Sequence, residues 1–464
     1  MRTYETKIQE LKASVLREVA ALAWEDNLAK GVLDVPEKLI PGPRATMRCC
    51  IYKERAIIGD RIKLAMGGDT SDPGIVEVIP TACDECPVTQ MTVGPSCRGC
   101  LATRCVHACP KEAITVVNHR AQIDHAKCIV CGKCLNACPY SAIVQNRRPC
   151  EKGCPVNAIS MGEDKKASID HSKCISCGTC VYTCPFGAIM DKSWIVTAVE
   201  MLKSDSRVYA IVAPAVAGQF GVGIGQVASG LKALGFRGVE EVALGADLTA
   251  HEEARELAEK GMLFSSCCPA FVDYVEKFHP KLADTVSQTP SPMVMAARRV
   301  KERDPEARVI FVGPCVAKKN EFQLEKTGGA VDCVLTFEEA DAMFEARGIR
   351  LEELPDDGLD SASSYGRNFA HSGGVSAAVA QAVKEQGLDF TVKAVPCSGI
   401  AECKVALLKA GRNLLDGNFI EGMACEGGCV AGAACLVRSP KNRAEVEKHA
   451  KQAGERTIQE AIEG

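Results

Sequence analysis

The sequence predicts an open α/β domain in its C-terminal half, preceded by a cysteine-dense α+β segment and an N-terminal helical stretch. Three observations carry that reading. Short apolar runs alternate with helical patterns between residues 207 and 395, short cysteine spacings crowd residues 83–184, and apolar residues recur every three or four positions near the N-terminus. With 464 residues there is material for two or three domains, each with its own core. Apolar residues make up 47%, charged ones 25%, and the net charge is -4, so no basic excess marks a nucleic-acid partner.

The unusual figure is 27 cysteines. A secreted disulfide scaffold would want a signal peptide and a smaller chain, but the N-terminus runs from Met1-Arg2-Thr3 into an amphipathic helical pattern instead of an apolar core. Neither a long apolar run nor a twin-arginine signal occurs. The expectation is a cytoplasmic chain, neither exported nor membrane-spanning, whose thiols stay reduced and available to metal.

Ile8, Leu11, Val15, Val19 and Leu22 line one face of a helix expected from Lys7 to Trp24, read as a docking helix. Pro36, Pro41, Gly42 and Pro43 then break the chain. Cys49 and Cys50 are adjacent, cannot readily ligate one metal, and stay unassigned. Residues 1–82 are taken together as a helical and irregular segment.

Residues 83–192 carry the cluster motifs. Cys128-x2-Cys131-x2-Cys134-x3-Cys138-Pro139 and Cys174-x2-Cys177-x2-Cys180-x3-Cys184-Pro185 each have the spacing of the bacterial ferredoxin run, whose fourth cysteine ligates the neighbouring cluster. Two-residue gaps let successive turns aim three thiolates at one cubane, and the proline stops the chain continuing as helix. Ala142-Ile143 and Ala188-Ile189 follow, as a strand packing beneath a cluster requires. Cys97-x2-Cys100-x4-Cys105-x3-Cys109-Pro110 is a variant with a longer middle gap and makes a third site. Cys83-x2-Cys86-Pro87 is a front half without its end, and Cys150-x3-Cys154-Pro155 a back half without its start; joined, they make a fourth.

Four Cys-Pro units therefore point to two ferredoxin-like repeats holding three to four 4Fe-4S clusters. The similar separations of Cys109 from Cys128 and of Cys154 from Cys174 favour 97–138 as one repeat and 150–184 as the other. A rival pairing joins 128–138 with 174–184 and treats 139–173 as an insertion, and spacing alone leaves both open. Cys83, Cys86, Cys150 and Cys154 also have the composition of a paired zinc site.

The runs at 207–214, 239–244, 308–312, 331–337 and 390–395 read as buried parallel strands of a domain spanning 193–440, where ligands collect beyond the carboxyl ends of the strands. Residues 441–464 alternate charges at helical spacing and read as one solvated helix.

Three stretches of this domain bring four thiols from separated loops: Phe264-Ser265-Ser266-Cys267-Cys268-Pro269-Ala270-Phe271, Gly313-Pro314-Cys315-Val316-Ala317-Lys318-Lys319, and Glu421-Gly422-Met423-Ala424-Cys425-Glu426-Gly427-Gly428-Cys429. Together they resemble the three signatures of the iron-only, or di-iron, hydrogenases. The resemblance implies two lobes of mostly parallel sheet flanked by helices. It implies a six-iron cluster, a 4Fe-4S cubane joined to a two-iron unit with CO and CN ligands, that interconverts protons and dihydrogen. It also implies hydrogenase maturation proteins and a ferredoxin or similar small electron carrier as partners.

Matched residue by residue, Cys268, Cys315, Cys425 and Cys429 are the implied ligands, with Cys429 shared between the cubane and the two-iron unit. Cys267 matches the last proton carrier, a role suited to a thiol with an ordinary pKa of about 8.5. Lys318 matches a lysine that hydrogen-bonds a cyanide, and a cationic donor suits an anionic ligand in a dry pocket. Met423 matches a methionine near the bridging carbonyl, and Ser266 and Pro314 fall with the cofactor-binding positions. Lys319 and Glu321 read as surface residues. Gly422, Gly427, Gly428 and Gly432 are read as giving the backbone room to approach a cluster.

For the proton route, Thr249-x2-Glu252 reads as a capping box opening a helix that Gly261 closes. Glu253 and Glu256 share one face of it. With Ser287, placed by its distance from Cys267, they match the family's Glu-Ser-Glu relay; a solvated helix face is the plainer alternative.

Ser265 and Phe271 stand where the family commonly has Thr and Trp, Gly313 where it has Met, and Gly432-Ala433-Ala434-Cys435 where it has Gly-Gly-Gly-Gln-Pro. The chain thus resembles a divergent branch. Cys333, Cys397, Cys403 and Cys435 have no assigned role, although Cys397 and Cys403 fall near the cluster loops. A hydrogenase-like assembly factor without the two-iron unit, or a hydrogen sensor, are the other readings. An assembly factor has no need of Cys267, Lys318, Met423 or the two glutamates, and no added sensory domain is visible.

Overall fold

The Thr6 hydroxyl and Gln9 side chain form a capping box that opens the helix Lys7–Trp24 in a computed structural model, which describes residues 4–464. The helix has the bounds its periodicity predicts. Val15, Leu16, Val19 and Ala20 are fully buried where it packs against the helices Phe337–Ala346 and Ile195–Lys203. It is a docking helix with a charged anchor: buried Lys12 reaches Asp191 at 2.7 Å and Glu338 at 2.6 Å. Among the described residues no helix is long and apolar enough to cross a membrane.

The cluster segment is built as one ferredoxin-like unit inside another. Its strands are β1 (Val76–Val78), β2 (Gln90–Val93), β3 (Ile114–Val117), β4 (Arg120–Ile123), β5 (Ile143–Asn146), β6 (Ile159–Met161), β7 (Ala167–Ile169) and β8 (Ile189–Asp191). The first pairs antiparallel with the last, β1 with β8, and so encloses everything between. Within that span β2 pairs with β5 around the hairpin β3–β4, a second closed unit, while β6 and β7 form the hairpin of the outer pair. The cluster unit thus begins before Cys83, at β1.

Repetition is visible residue by residue. The backbone N–H four positions after each fourth cysteine donates to its sulfur: Ala113 to Cys109 (3.3 Å), Ala142 to Cys138 (3.4 Å), Ala158 to Cys154 (3.2 Å) and Ala188 to Cys184 (3.2 Å). The residue before each alanine, Glu112, Ser141, Asn157 or Gly187, has positive φ, so every Cys-Pro turn has one shape. The first cysteines match as well, Cys97 accepting from Ala121 (3.4 Å) and Cys83 from Ala167 (3.3 Å).

The remaining strands are β9 (Val208–Val212), β10 (Gly238–Glu241), β11 (Leu263–Phe264), β12 (Arg308–Gly313), β13 (Cys333–Thr336), β14 (Ala394–Ser398) and β15 (Phe419–Met423). They make two parallel sheets, in the orders β10-β9-β12-β13 and β11-β15-β14. Ala210, Ile211, Val309, Ile310 and Val312 in one, and Phe264, Phe419 and Ile420 in the other, are fully buried, as sheets covered on both faces require. The expected two-lobed α/β domain is present.

Four local expectations are corrected. β10 stops at Glu241, and residues 242–244 already belong to the helix Val242–Lys260. Thr249 is therefore mid-helix, its hydroxyl donating to the carbonyls of Gly245 (2.9 Å) and Pro290 (3.1 Å), and no capping box exists there; Gly261, at φ 75°, does close the helix. The strand expected from residue 390 is β14, which starts at Ala394. The C-terminal segment is two helices, Lys441–Lys451 and Ile458–Glu463, each with a buried face, because Val446, Ala450, Ile458 and Ala461 repeat at helical spacing among the charges.

Candidate active site

The strands of both sheets deliver the signature cysteines to one place. Cys267 and Cys268 follow β11, with Cys268 as N-cap of the helix Pro269–Phe278; Cys315 follows β12 and Cys425 follows β15. Cys267, Cys268, Cys315, Lys318, Met423 and Cys429 line a common cavity of about 80 Å³. A single water needs only about 10–15 Å³, so the space suits a polyatomic group. Its position beyond the carboxyl ends of parallel strands is where such sheets bind ligands.

The four expected ligands converge. Burial drives Cys425 far above the ordinary thiol range, and the thiols of Cys315, Cys268 and Cys429 push the same way. Burial likewise lifts Cys315 to about 12. Protons would leave such thiols only in favour of a stronger positive charge, as when a metal binds. Backbone N–H groups already face the sulfurs, those of Ala424, Phe271 and Ala270 at Cys268 and those of Lys318 and Ala317 at Cys315. This donor set, soft, buried and supplied with hydrogen bonds to sulfur, fits an iron-sulfur group.

Lys318 is buried, and its Nζ lies 2.9 Å from Ser291 Oγ and 2.6 Å from Glu321 Oε2. Burial alone would lower its pKa, but Glu321, Cys315 and Cys267 raise it, so the lysine stays cationic. The expectation of a surface Lys319 and Glu321 fails. Lys319 is 0% exposed and Glu321 6%. Lys319 Nζ is held by Asp191 (2.7 Å), Glu339 (2.9 Å) and the carbonyl of Lys192 (2.8 Å). With Lys12, these groups join the N-terminal helix, the end of β8 and the second signature through one buried charge cluster. Lys319→Met is expected to lose about 3–5 kcal/mol, the usual cost of breaking a buried pair, measured as a shifted urea midpoint of the iron-loaded protein; an unchanged midpoint would contradict the clamp.

Three glycines of the third signature are also required by protein packing. A Cβ on Gly422 would lie 2.2 Å from the Phe271 ring, on Gly428 2.8 Å from the backbone of His371 and Ser372, and on Gly432 2.6 Å from the Pro314 carbonyl. Three of the four are thus needed for protein packing. Gly313, in the place of the family's methionine, leaves room for the Phe311 ring, 2.4 Å from where its Cβ would be, and Phe311 lines the cavity.

Glu253 lies fully buried behind Cys267. Its Oε1 accepts from Ser266 N–H (2.9 Å) and Oγ (3.2 Å), while Oε2 has no partner among the described residues. Ser266, expected near the cofactor, is thereby turned to the glutamate. Burial raises Glu253 to about 7, with Glu256 adding to the rise. Glu256 accepts from Ser287 Oγ (2.6 Å), Thr289 Oγ1 (3.2 Å) and Gln288 N–H (3.0 Å), and pairs with Lys260 at 2.7 Å. Although burial works against it, these partners hold Glu256 below the usual range. Cys267, Glu253, Ser287 and Glu256 are therefore consecutive neighbours, and a solvated helix face is excluded for Glu253.

Between about pH 4.5 and about 7 Glu253 is protonated in the fold and ionised in the unfolded chain, so it makes stability fall as pH rises through that window. Glu253→Gln should abolish this fall, gaining on the wild type by about 1.4 kcal/mol per unit of the window in urea titrations. Parallel pH profiles for the two proteins would refute the assignment.

The cluster cysteines fall into four groups. Cys105 has Cys138 and Cys100 as thiol neighbours, and Cys97, Cys100, Cys105 and Cys138 line one small cavity. Cys134 has Cys128 and Cys109, with Cys131 in the same loop. Cys150, lifted by burial to about 11, has Cys184 and Cys83, and Cys86 has the same two. Cys180 feels Cys177, Cys174 and Cys154 most strongly, and Cys150 less. In each unit the fourth cysteine of one motif crosses to the other. The rival pairing fails, and Cys83, Cys86, Cys150 and Cys154 do not converge as a zinc site, since Cys154 faces a different group. Cys177 is also a neighbour of Cys425, which sets the last cluster group beside the cysteine-lined cavity.

Of the unassigned thiols, Cys333 reaches the carbonyl of Trp194 (3.7 Å), Cys403 that of Met423 (3.7 Å) and Cys435 that of Cys429 (3.6 Å). The Cys397 and Cys403 thiols are hydrogen-bonded to each other. Cys49 and Cys50 are exposed. Sequence reasoning missed Ser291, Thr289 and the Lys319 partners; a second lysine after Cys315 was the one visible signal.

Residues 206–433 match the family model described as iron only hydrogenase large subunit, C-terminal domain, and 96–142 and 148–188 each match a 4Fe-4S dicluster domain. The chain is 33% identical over 377 residues to the periplasmic [Fe] hydrogenase large subunit of Nitratidesulfovibrio vulgaris, covering 68% of this chain and 86% of that one. It belongs to the iron-only hydrogenase family. Iron hydrogenase 1 of Clostridium pasteurianum is 30% identical over 399 residues, 73% of this chain and 69% of that protein. The cytosolic Fe-S cluster assembly factor NAR1 of Kluyveromyces lactis is 37% identical over 85 residues, 18% of each chain.

Proposed function

We propose that this hydrogenase-family chain catalyses the reversible reduction of protons to dihydrogen, with electrons passed through 4Fe-4S clusters from a ferredoxin-type donor. The observation that carries the reading is a proton-capable thiol, Cys267, between the cysteine-lined cavity and a buried glutamate. Cys268, Cys315, Cys425 and Cys429 would hold the six-iron cluster, installed by maturation proteins. When bound, that cluster supplies the chemistry of making and cleaving the hydrogen–hydrogen bond. Lys318, fixed by Ser291 and Glu321, presents a cationic donor to anionic ligands, with Met423 and Pro314 forming the apolar wall.

Protons pass between solvent and cavity through Glu256, Ser287, Glu253 and Cys267. Glu256 is the outer, ionised acid; Glu253, raised to about 7, exchanges a proton near neutral pH. Ser287 faces both carboxylates and hands protons between them. Inward, Cys154, Cys174, Cys177 and Cys180 would hold the cluster adjoining Cys425, which would supply electrons to the cavity. The cytoplasm is the proposed location, where the thiols assigned to clusters would stay reduced and available to iron.

An assembly-factor role is the second reading, favoured by the match to the NAR1 protein over 18% of the chain. Infrared spectra of the anaerobically matured protein separate the two. CO and CN stretches with hydrogen turnover are expected; a protein that loads 4Fe-4S clusters but shows neither would leave the assembly-factor reading.

A further inference from the structure

The group of Cys83, Cys86, Cys150 and Cys184 has surroundings that set it apart from the other three. Cys83, Cys150 and Cys184 are buried, and Arg61 and Arg148 are buried with them, each only 2% exposed. Arg148 Nη1 lies 3.9 Å from the Cys83 sulfur, and its Nη2 donates to the Lys165 carbonyl. Arg61, on the helix Ile51–Ala65, donates from Nη2 to the carbonyls of Gly187 (2.7 Å) and Phe186 (3.5 Å), in the turn that follows Cys184. Among the described residues neither guanidinium bonds a carboxylate, and the Nε of each has no partner. A charge taken out of water without a counter-charge is costly. Burial lowers the Arg61 pKa to about 10, with Cys184 resisting the fall and Arg48 adding to it.

The other charges near this group are accounted for. Arg48 reaches the Ala82 carbonyl (3.0 Å), beside Cys83, but is already paired with Asp84 (3.3 Å) and Glu85 (3.2 Å). Glu151 is the opposing charge: it is buried, its Oε2 accepts from Thr89 Oγ1 (2.6 Å), and its Oε1 has no partner among the described residues. Two unpaired cations therefore stand against one carboxylate. The cations that reach thiols of other cluster groups, Arg120 near Cys97 and Lys277 near Cys174, are exposed to water. Hydrogen bonds to sulfur do not make the difference, since those of Ala167 to Cys83 and Ala188 to Cys184 repeat in the other groups. A cubane on four thiolates is anionic and gains a further negative charge when reduced. Burial thus makes its reduction harder, whereas a fixed cation beside it makes reduction easier, and more so in a low dielectric.

We infer that Arg61 and Arg148 set the reduction potential of the cluster at Cys83, Cys86, Cys150 and Cys184, holding it reducible in a buried site. Reduction adds one electron, taken from a one-electron donor, and no proton or bond is transferred. Cys180 of the adjoining group feels Cys150, so an electron kept there stands one transfer from the group beside Cys425. The inference rests on the cluster assignment of these four cysteines and is independent of hydrogen turnover.

The test is a potentiometric titration with dithionite on the full iron-loaded protein, read by electron paramagnetic resonance. It follows the reduced-cluster signal that Cys150→Ala eliminates. Arg148→Gln and Arg61→Gln are each expected to disfavour reduction of that cluster by about tenfold or more, a midpoint lowered by about 59 mV or more for a one-electron couple. The signal that Cys154→Ala eliminates should move far less. Glu151→Gln should raise the same midpoint, and Arg148→Lys, which keeps the charge, should recover more than half of the Arg148→Gln shift. An unmoved midpoint in both glutamine variants, an equal shift in both signals, or a lysine variant no better than glutamine overturns the role of the arginines. If the arginine variants load iron poorly, Glu151→Gln decides: a raised midpoint supports the inference, and an unmoved or lowered one refutes it. Should Cys150→Ala eliminate no signal of the wild type, the cluster assignment itself fails, and the inference with it.

Discussion

Cys267→Ala is expected to lower hydrogen turnover by about 10²–10⁴-fold, the range that a positioned proton donor and acceptor contributes, while CO and CN infrared bands persist. Cys267 is held between two groups of opposite duty, the cavity and Glu253. Burial lifts its thiol far above the ordinary range, with Glu253 and Cys268 pushing the same way, so it stays protonated when at rest. A donor of that kind delivers a proton without leaving a free thiolate, provided Glu253 replaces the proton at once. Alanine removes the link but not the cavity, whose cysteine ligands lie on other atoms. Cys267→Ser should recover little, because an alkoxide is harder to form than a thiolate in the same dry pocket. Full turnover in the alanine variant would take Cys267 out of the route and leave the buried, half-satisfied Glu253 unexplained.

The parallel sheets were legible because they are covered on both faces, so that β9 and β12 appear as continuous apolar runs without competing periodicity. Thr249 misled for a related reason. Its spacing to Glu252 imitates a cap, yet the apolar residues 242–246 already carry the helix past it, and tertiary packing against Pro290 uses the hydroxyl instead. Lys318 and Lys319 are identical in type and adjacent. Only folding distinguishes them, by bringing Asp191 and Glu339 to one and Ser291 and Glu321 to the other. At Gly422 of the third signature, the Phe271 ring adds a packing requirement from a distance in sequence that no local pattern records.

Nesting of the cluster units lay half visible. Two incomplete motifs, Cys83 with Cys86 and Cys150 with Cys154, were each readable, and joining them was sound. What no local signal gives is the strand pair that joins them, because β1 spans only Val76–Val78 and meets β8 after more than a hundred intervening residues. Long-range pairing of such short strands is fixed by the whole unit, through Val76 and Ile189 in the shared core.

The crossing of the fourth cysteine has a consequence that separates neighbouring positions in the chain. Cys150 lies in the short helix Pro149–Gly153 and Cys154 caps its end, yet they face different groups. Cys154→Ala is therefore expected to remove the cluster nearest the catalytic cysteines, with loss of one cubane's iron, about four atoms per chain, and of one reduced-cluster signal in electron paramagnetic resonance. Electron delivery from ferredoxin should collapse with it, since Cys177 and its partners are the group adjoining Cys425. Cys150→Ala removes the other cluster and leaves the Cys154 group intact, so the two variants should lose different signals. If instead both substitutions eliminated the same signal, Cys150 and Cys154 would share one metal centre, and the crossed arrangement that links the cluster units to the catalytic cavity would have to be abandoned.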